Sequence, residues 1–176
     1  VADSDGTIRL IAAHRELLDI EDRSIAALCA MLGVAEPANW PPLFNGPETR
    51  DWFREEMRKA PASFGWWGFY ILAVIDDVER LAGTAGYKGP PDAEGCVEIG
   101  YSVVDAYHRR GIASRTVHLL VARAFRHPGV RVVIAQTLPD AVASQGVLRK
   151  TGFDFDGTRL DPDDGEVHRF TRHRTA

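Results

Sequence analysis

The stretch from Val97 to Ser114 gathers the residue types in this chain best suited to holding a charged ligand. A strand ends near Val104, a short loop carries His108, Arg109 and Arg110, and Gly111 opens an amphipathic helix. The first N–H groups of a helix lack internal partners and carry the positive end of its dipole. Gly111 and Ala113 are small enough to let an anion approach that backbone, and the two arginines add charge beside it. The chemistry expected is the cradling of a pyrophosphate; the plainer alternative is a solvated loop ahead of an ordinary helix. Other phosphate signatures are missing. There is no Gly-x-x-x-x-Gly-Lys-Ser/Thr loop, and no Gly-x-Gly-x-x-Gly follows a strand, so nucleotide hydrolysis and dinucleotide redox chemistry lack their marks.

Metal chemistry finds no purchase either. Cys29 and Cys96 stand far apart, His168 and His173 have no partner at zinc spacing, and His-Glu-x-x-His does not occur. The acidic stretch Asp154–Glu166 fails the calcium-loop pattern and is expected to be a solvated hairpin turn. No metal site is expected.

The elements that would position the cradle follow from periodicity and turn residues. Thr7–Ala13 reads as a strand, and His14–Leu32 as one helix stopped by Gly33. The Pro-rich segment Glu36–Pro47 cannot sustain a helix or a central strand and carries Trp40 and Phe44. A helix over Glu48–Lys59 is expected to bury Trp52, Phe53 and Met57. Trp66–Ile75, Arg80–Tyr87 and Cys96–Val104 form an antiparallel meander turned by Asp76-Asp77 and by Pro90–Gly95. A helix over Gly111–Phe125, a strand over Val130–Ala135, a helix over Asp140–Lys150 and strands over Phe153–Asp156 and Glu166–Arg172 complete the chain. Hairpins that precede a strand–helix–strand crossover imply an α/β fold with a mixed sheet.

Composition bounds the rest. At 176 residues the chain is expected to form one domain over residues 1–176. A chain of that length buries roughly 70% of its unfolded surface without staples. Hydrophobic residues at 45% and charged residues at 26% fit a soluble globular protein. A net charge of −4 argues against nucleic-acid binding. The longest apolar run, Trp66–Ile75, is ten residues and contains Gly68, whereas a membrane span needs about 20. The N-terminal residues lack a signal-peptide pattern. The expected location is the cytoplasm, as a monomer or homodimer without membrane partners.

The segment His108-Arg-Arg-Gly-Ile-Ala resembles the acyl-CoA pyrophosphate motif of the GNAT N-acetyltransferase superfamily, Arg/Gln-x-x-Gly-x-Gly/Ala. The strand Glu98-Ile-Gly-Tyr before it resembles the RimJ/RimL-like branch. So does Pro139-Asp-Ala-Val-Ala-Ser-Gln-Gly-Val-Leu-Arg-Lys-Thr-Gly-Phe, which follows that branch's second signature. The two stand in the expected order, with a helix and a strand between them, and the likeness covers Ile8 to Asp156. His108 replaces the usual Arg or Gln. Ala141 replaces an Asn that commonly contacts the cofactor, and Leu148 falls where many family members place an acidic tyrosine.

The resemblance implies the GNAT acyl-CoA N-acyltransferase fold: a mixed, mostly antiparallel sheet of about six to seven strands with helices on both faces. It implies direct transfer of acetyl from acetyl-CoA to a primary amine in a ternary complex, without a metal. His108, Arg109, Arg110, Gly111, Ile112, Ala113 and Ser114 would bind the cofactor. A backbone N–H near Val103 and Val104 would stabilise the oxyanion, where that strand parts from the one ending at Thr137. Glu98, just upstream, is the expected base. Ser144 would contact cofactor or protonate the thiolate, and Trp40, Phe44 and Tyr101 would line the acceptor pocket. The branch suggests a protein or peptide N-terminal α-amine as acceptor. The alternatives are a small-molecule amine or antibiotic, marked by an acidic pocket, or a non-catalytic acyl-CoA-binding sensor.

Overall fold

The computed structural model describes residues 2–175. Its elements run β1 (Ala2–Ser4), β2 (Ile8–Ala12), α1 (Arg15–Arg23), α2 (Ile25–Leu32), α3 (Pro47–Lys59), β3 (Gly68–Ile75), β4 (Val78–Tyr87) and β5 (Cys96–Val103). Then follow α4 (Ile112–Arg126), β6 (Val132–Thr137), α5 (Val142–Lys150), β7 (Asp154–Asp161) and β8 (Gly165–His173). The eight strands form one sheet in the order β1-β2-β3-β4-β5-β6-β8-β7. Every pairing is antiparallel except β5 with β6, which α4 connects as a crossover. None of the described helices is long and apolar enough to cross a membrane.

β3 explains why the aromatic, β-branched run was so continuous. Phe69, Ile71, Ala73 and Ile75 face a core shared with Val117, Leu120, Val121 and Ala124 of α4. The alternate residues Tyr70 and Leu72 face a second core with Leu17 and Leu18 of α1 and Leu28 and Cys29 of α2. A strand buried on both sides loses the apolar–polar alternation of a half-exposed one. The helices therefore cover both faces, as the family resemblance implied.

Three expectations need correction. The single helix over His14–Leu32 is two, because Ser24 adopts extended backbone (φ −167°) and its hydroxyl accepts from the Ala27 N–H at 3.2 Å. A serine offering its oxygen to an orphan N–H starts a new helix without disturbing the apolar period. The acidic segment is not all turn: β7 runs eight residues to Asp161, paired along β8 from Thr171 to Gly165. Only residues 162–164 turn, with the Asp161 carboxylate accepting from the Asp163 and Asp164 N–H groups. The third correction is the strand count, which rises to eight as Ala2–Ser4 adds to the β2 edge.

β1 is tied to α4 by charge. Arg123 Nη1 donates to Asp3 Oδ2 at 2.8 Å, and Arg126 donates to the other oxygen. Burial works against ionisation of Asp3, but the two arginines outweigh it and hold its carboxyl below the usual carboxylate range. A depressed folded-state pKa adds stability above the unfolded value and loses it as pH falls through the folded one. Asp3→Asn is therefore expected to melt lower than the parent at neutral pH. The gap should close as pH drops below about 4, read by thermal denaturation across pH.

Candidate active site

The parallel ladder between β5 and β6 is short. It runs from Cys96↔Val132 to Ile99↔Ala135 and stops. Beyond it β5 stays with β4 as far as Gly83↔Val103, while β6 follows β8 to Thr137↔His168. The two strands part, and a gap opens in the sheet. Glu98 O accepts from the Lys88 N–H (3.0 Å), and the Val104 N–H donates to Ala82 O (2.9 Å). Backbone groups alternate sides along a strand, so Glu98, Gly100, Ser102 and Val104 turn theirs to β4. Tyr101 and Val103 turn theirs to the gap. Val104 is therefore no free donor, contrary to the sequence-based expectation. Val103 keeps its N–H toward the gap, while its carbonyl lies 2.8 Å from His108 Nε2, a contact that requires the proton on that nitrogen.

A cleft of about 630 Å³ passes through this gap. On one face of the sheet it is floored by Glu98, Gly100 and Ser102 and walled by Leu43, Phe44 and Trp52. On the other it meets Ile99, Tyr101, Ser144 and Leu148, on the side covered by α4 and α5. Asp140, Asp161 and Asp164 also line it.

The structure brings Glu98, Phe44, Tyr101 and Ser144 to one cleft but splits them between its two sides. Glu98 Oε1 lies 2.6 Å from Lys88 Nζ, and Oε2 accepts from Gln136 Nε2 at 3.1 Å. The Tyr101 hydroxyl donates to Ser144 O at 3.2 Å, bridging β5 to α5. Burial raises the Tyr101 pKa, so the phenol remains protonated and cannot serve as a base. Tyr101 and Phe44 both line the cleft, from opposite faces of the sheet. Trp40 is not a lining residue at all: its indole N–H donates to Glu21 Oε1 at 2.9 Å, and its ring packs on the core. Phe44 does line the cleft, 69% exposed, with φ at +61°. A left-handed backbone at a bulky residue costs about 1–3 kcal/mol and persists only where its surroundings impose it.

The cradle residues lie beyond the end of β5, outside the cleft lining. Arg109 (φ +62°) and Gly111 (φ +78°) turn the chain into α4, and no side chain caps that helix. The first helical bond is Arg115 N–H to Gly111 O, so the N–H groups of Ile112, Ala113 and Ser114 face outward. A Cβ added at Gly111 would meet nothing within 4 Å, so the turn into α4 is open at that position. Outward-facing N–H groups and open space are what a phosphate needs. Arg110 is drawn aside to Asp76 Oδ1 at 3.0 Å, on the turn after β3.

Leu148 is fully buried, and no hydroxyl stands at its position. Ala141 is the N-cap of α5, which no side chain caps. Ala141→Asn is expected to supply that cap, adding about 1 kcal/mol and raising the midpoint by roughly 2–4 °C in thermal denaturation.

Sequence reasoning missed several lining residues. Lys88 stands opposite Glu98 because Tyr87 pairs with Ile99, a register the hairpin itself would have disclosed. Trp52, expected to be buried, is 40% exposed and lines the cleft. Helical period marks an apolar face but cannot say whether a core or a cavity lies against it.

A parted parallel strand pair beside an uncapped helix start is the arrangement that the resemblance to acyl-CoA acyltransferases implies. A model of the acetyltransferase (GNAT) domain matches residues 15–154, and the chain belongs to that family, whose members transfer acetyl from acetyl-CoA. The uncharacterized N-acetyltransferase YjdG of Bacillus subtilis (strain 168) is 28% identical over 148 residues, covering 83% of this chain and 85% of YjdG. Among solved structures, RimL, a ribosomal L7/L12 α-N-protein acetyltransferase in complex with coenzyme A, superposes with a TM-score of 0.68 at 17% identity over 98% of both chains. The microcin C7 self immunity acetyltransferase MccE, in complex with acetyl-CoA and AMP, gives 0.65 at 13% identity over 97% of this chain and 94% of its own.

Proposed function

We propose that the chain acetylates a peptide or protein N-terminal α-amine that enters the cleft on its Phe44–Glu98 side. The observation that carries this reading is the passage of one cleft through the parted strands, with a carboxylate on one side and two hydroxyls on the other. Acetyl-CoA supplies the activated thioester. The N–H groups of Ile112, Ala113 and Ser114 hold its phosphates, with Arg109 adding charge. The gap-facing backbone of Tyr101 and Val103 offers strand-like hydrogen bonds and an oxyanion donor. Glu98 accepts the proton the attacking amine must lose, and the Ser144 or Tyr101 hydroxyl returns one to the departing thiolate. The likeness to RimL supports an α-amine acceptor.

A second reading, a small cationic amine, is favoured by charge: Glu98, Asp140, Asp161 and Asp164 line the cleft against Lys88 alone among the lysines and arginines, and Glu98 already pairs it. The likeness to MccE is compatible with it. Thermal unfolding with acetyl-CoA, CoA and ATP tests the cofactor site. A ligand at about 100 times its Kd adds roughly 2.7 kcal/mol, raising the midpoint by roughly 5–10 °C. A shift with acetyl-CoA and CoA but not ATP supports the site, and no shift refutes it. Thiol release against free-α-amine peptides and against spermidine then separates the two acceptors.

A further inference from the structure

Glu21 of α1 is a carboxylate withdrawn from water, its side chain only 2% exposed. Oε1 accepts from Trp40 Nε1 (2.9 Å), Asn45 Nδ2 (2.9 Å) and Arg50 Nη1 (3.3 Å), and Oε2 accepts from the Tyr70 hydroxyl (2.6 Å). Burial first, and then the charge of Glu21, raise the Tyr70 pKa, so that phenol remains a donor. A buried carboxylate is costly unless compensated in this way. Glu21 does not line the cleft, so its place is not explained by contact with a substrate.

Its donors show what it holds. Trp40 and Asn45 bracket the four residues 41–44, and Leu43 and Phe44 among them are each 69% exposed and line the cleft. Arg50 strengthens the same end by donating from Nη1 to Asn45 O at 2.7 Å. The segment can do little for itself. Pro37, Pro41 and Pro42 lack N–H groups, and the Asn45 N–H reaches back only to Pro42 O at 3.3 Å. Nothing intrinsic favours φ +61° at Phe44, and a backbone of that kind endures where neighbours fix both flanks. Glu21 fixes both.

We propose that Glu21 is the positioning residue of the acceptor wall: through Trp40 and Asn45 it holds Leu43 and Phe44 where the apolar part of the amine packs. The proposal rests on the reading that this side of the cleft receives the amine.

The test uses Glu21→Gln, Trp40→Phe and Phe44→Ala, with the acceptor taken as whichever of a free-α-amine tetrapeptide or spermidine turns over. Glu21→Gln is expected to raise the acceptor KM about tenfold or more with acetyl-CoA Kd changed less than about twofold. It should also speed hydrogen exchange at the Asn45 amide without doing so in α4 or β5. Phe44→Ala should raise KM comparably, and the double variant should be no worse than Phe44→Ala, because coupled residues are not additive. If Phe44→Ala leaves KM unchanged, the acceptor reading of the cleft falls and this proposal with it. If Phe44→Ala raises KM but Glu21→Gln lowers only the melting temperature, Glu21 is purely structural and the proposal alone is overturned. Should Glu21→Gln fail to fold, Trp40→Phe, which keeps an aromatic ring and removes one donor, must raise KM and Asn45 exchange in the same direction. Should neither acceptor turn over, Asn45 exchange decides: unchanged in the variant that folds, it overturns the proposal.

Discussion

Gly111→Val is expected to abolish acetyl-CoA binding while the protein still folds. Two effects follow. Gly111 sits at φ +78°, where a β-branched residue is a steric outlier, so the turn into α4 must shift. The shifted turn also moves the N–H groups of Ile112, Ala113 and Ser114, which a phosphate would need as donors. Strain lowers stability by about 1–3 kcal/mol, and the loss of the N–H donors from the anion is what weakens binding. A rise in Kd of at least about a hundredfold follows, since about 1.4 kcal/mol is tenfold. Calorimetric titration reads it directly. Gly33→Val is the control: Gly33 has φ +70° and equally open surroundings at the end of α2, so it carries the strain without the cradle. It should lose stability and keep its affinity. Equal loss of affinity in both variants would show that the cradle does not hold the cofactor.

Glu98→Gln should cut kcat by about 10²–10⁴-fold, the range expected when a positioned general base is removed. The amide preserves shape and can still meet Gln136, and acetyl-CoA Kd should not change. The fall therefore isolates proton removal from cofactor binding. A fall of less than about tenfold would return Glu98 to the structural role its contact with Lys88 already offers, at 2.6 Å. Lys88→Met separates the two roles further: a structural ion pair predicts equal destabilisation from either partner, whereas a base predicts that only Glu98→Gln stops turnover.

Much of this was legible in the sequence because it depends on local rules. Gly111 after two arginines announces a helix start with open N–H groups, and the structure puts α4 at Ile112. The run Trp66–Ile75 reads as a strand whichever face is considered, and β3 is buried on both. Where the reading failed, the deciding partner was a contact that composition and period do not register, whether near in the chain or far from it. β7 is acidic and Gly-interrupted, a poor strand by composition, yet β8 supplies a ladder that overrides local preference. Trp40 looked like a pocket aromatic, but a buried carboxylate 19 residues away on α1 claims its indole N–H.

By itself the sequence determined most of the elements, the turn that opens α4 and the strand that carries Glu98, since short-range periodicity and turn chemistry specify those. Only the tertiary structure decided which face each residue serves. The parting of β5 from β6 after Ile99 sends one cleft through the sheet and sets Glu98 and Tyr101 on its two sides, although they are three positions apart. The physical reason is that each strand follows the neighbour on its other edge: β5 stays in register with β4 to Val103 and β6 with β8 to Thr137, and their facing edges diverge after Ile99 and Ala135. Those pairings join segments distant in sequence, where local pattern has no information.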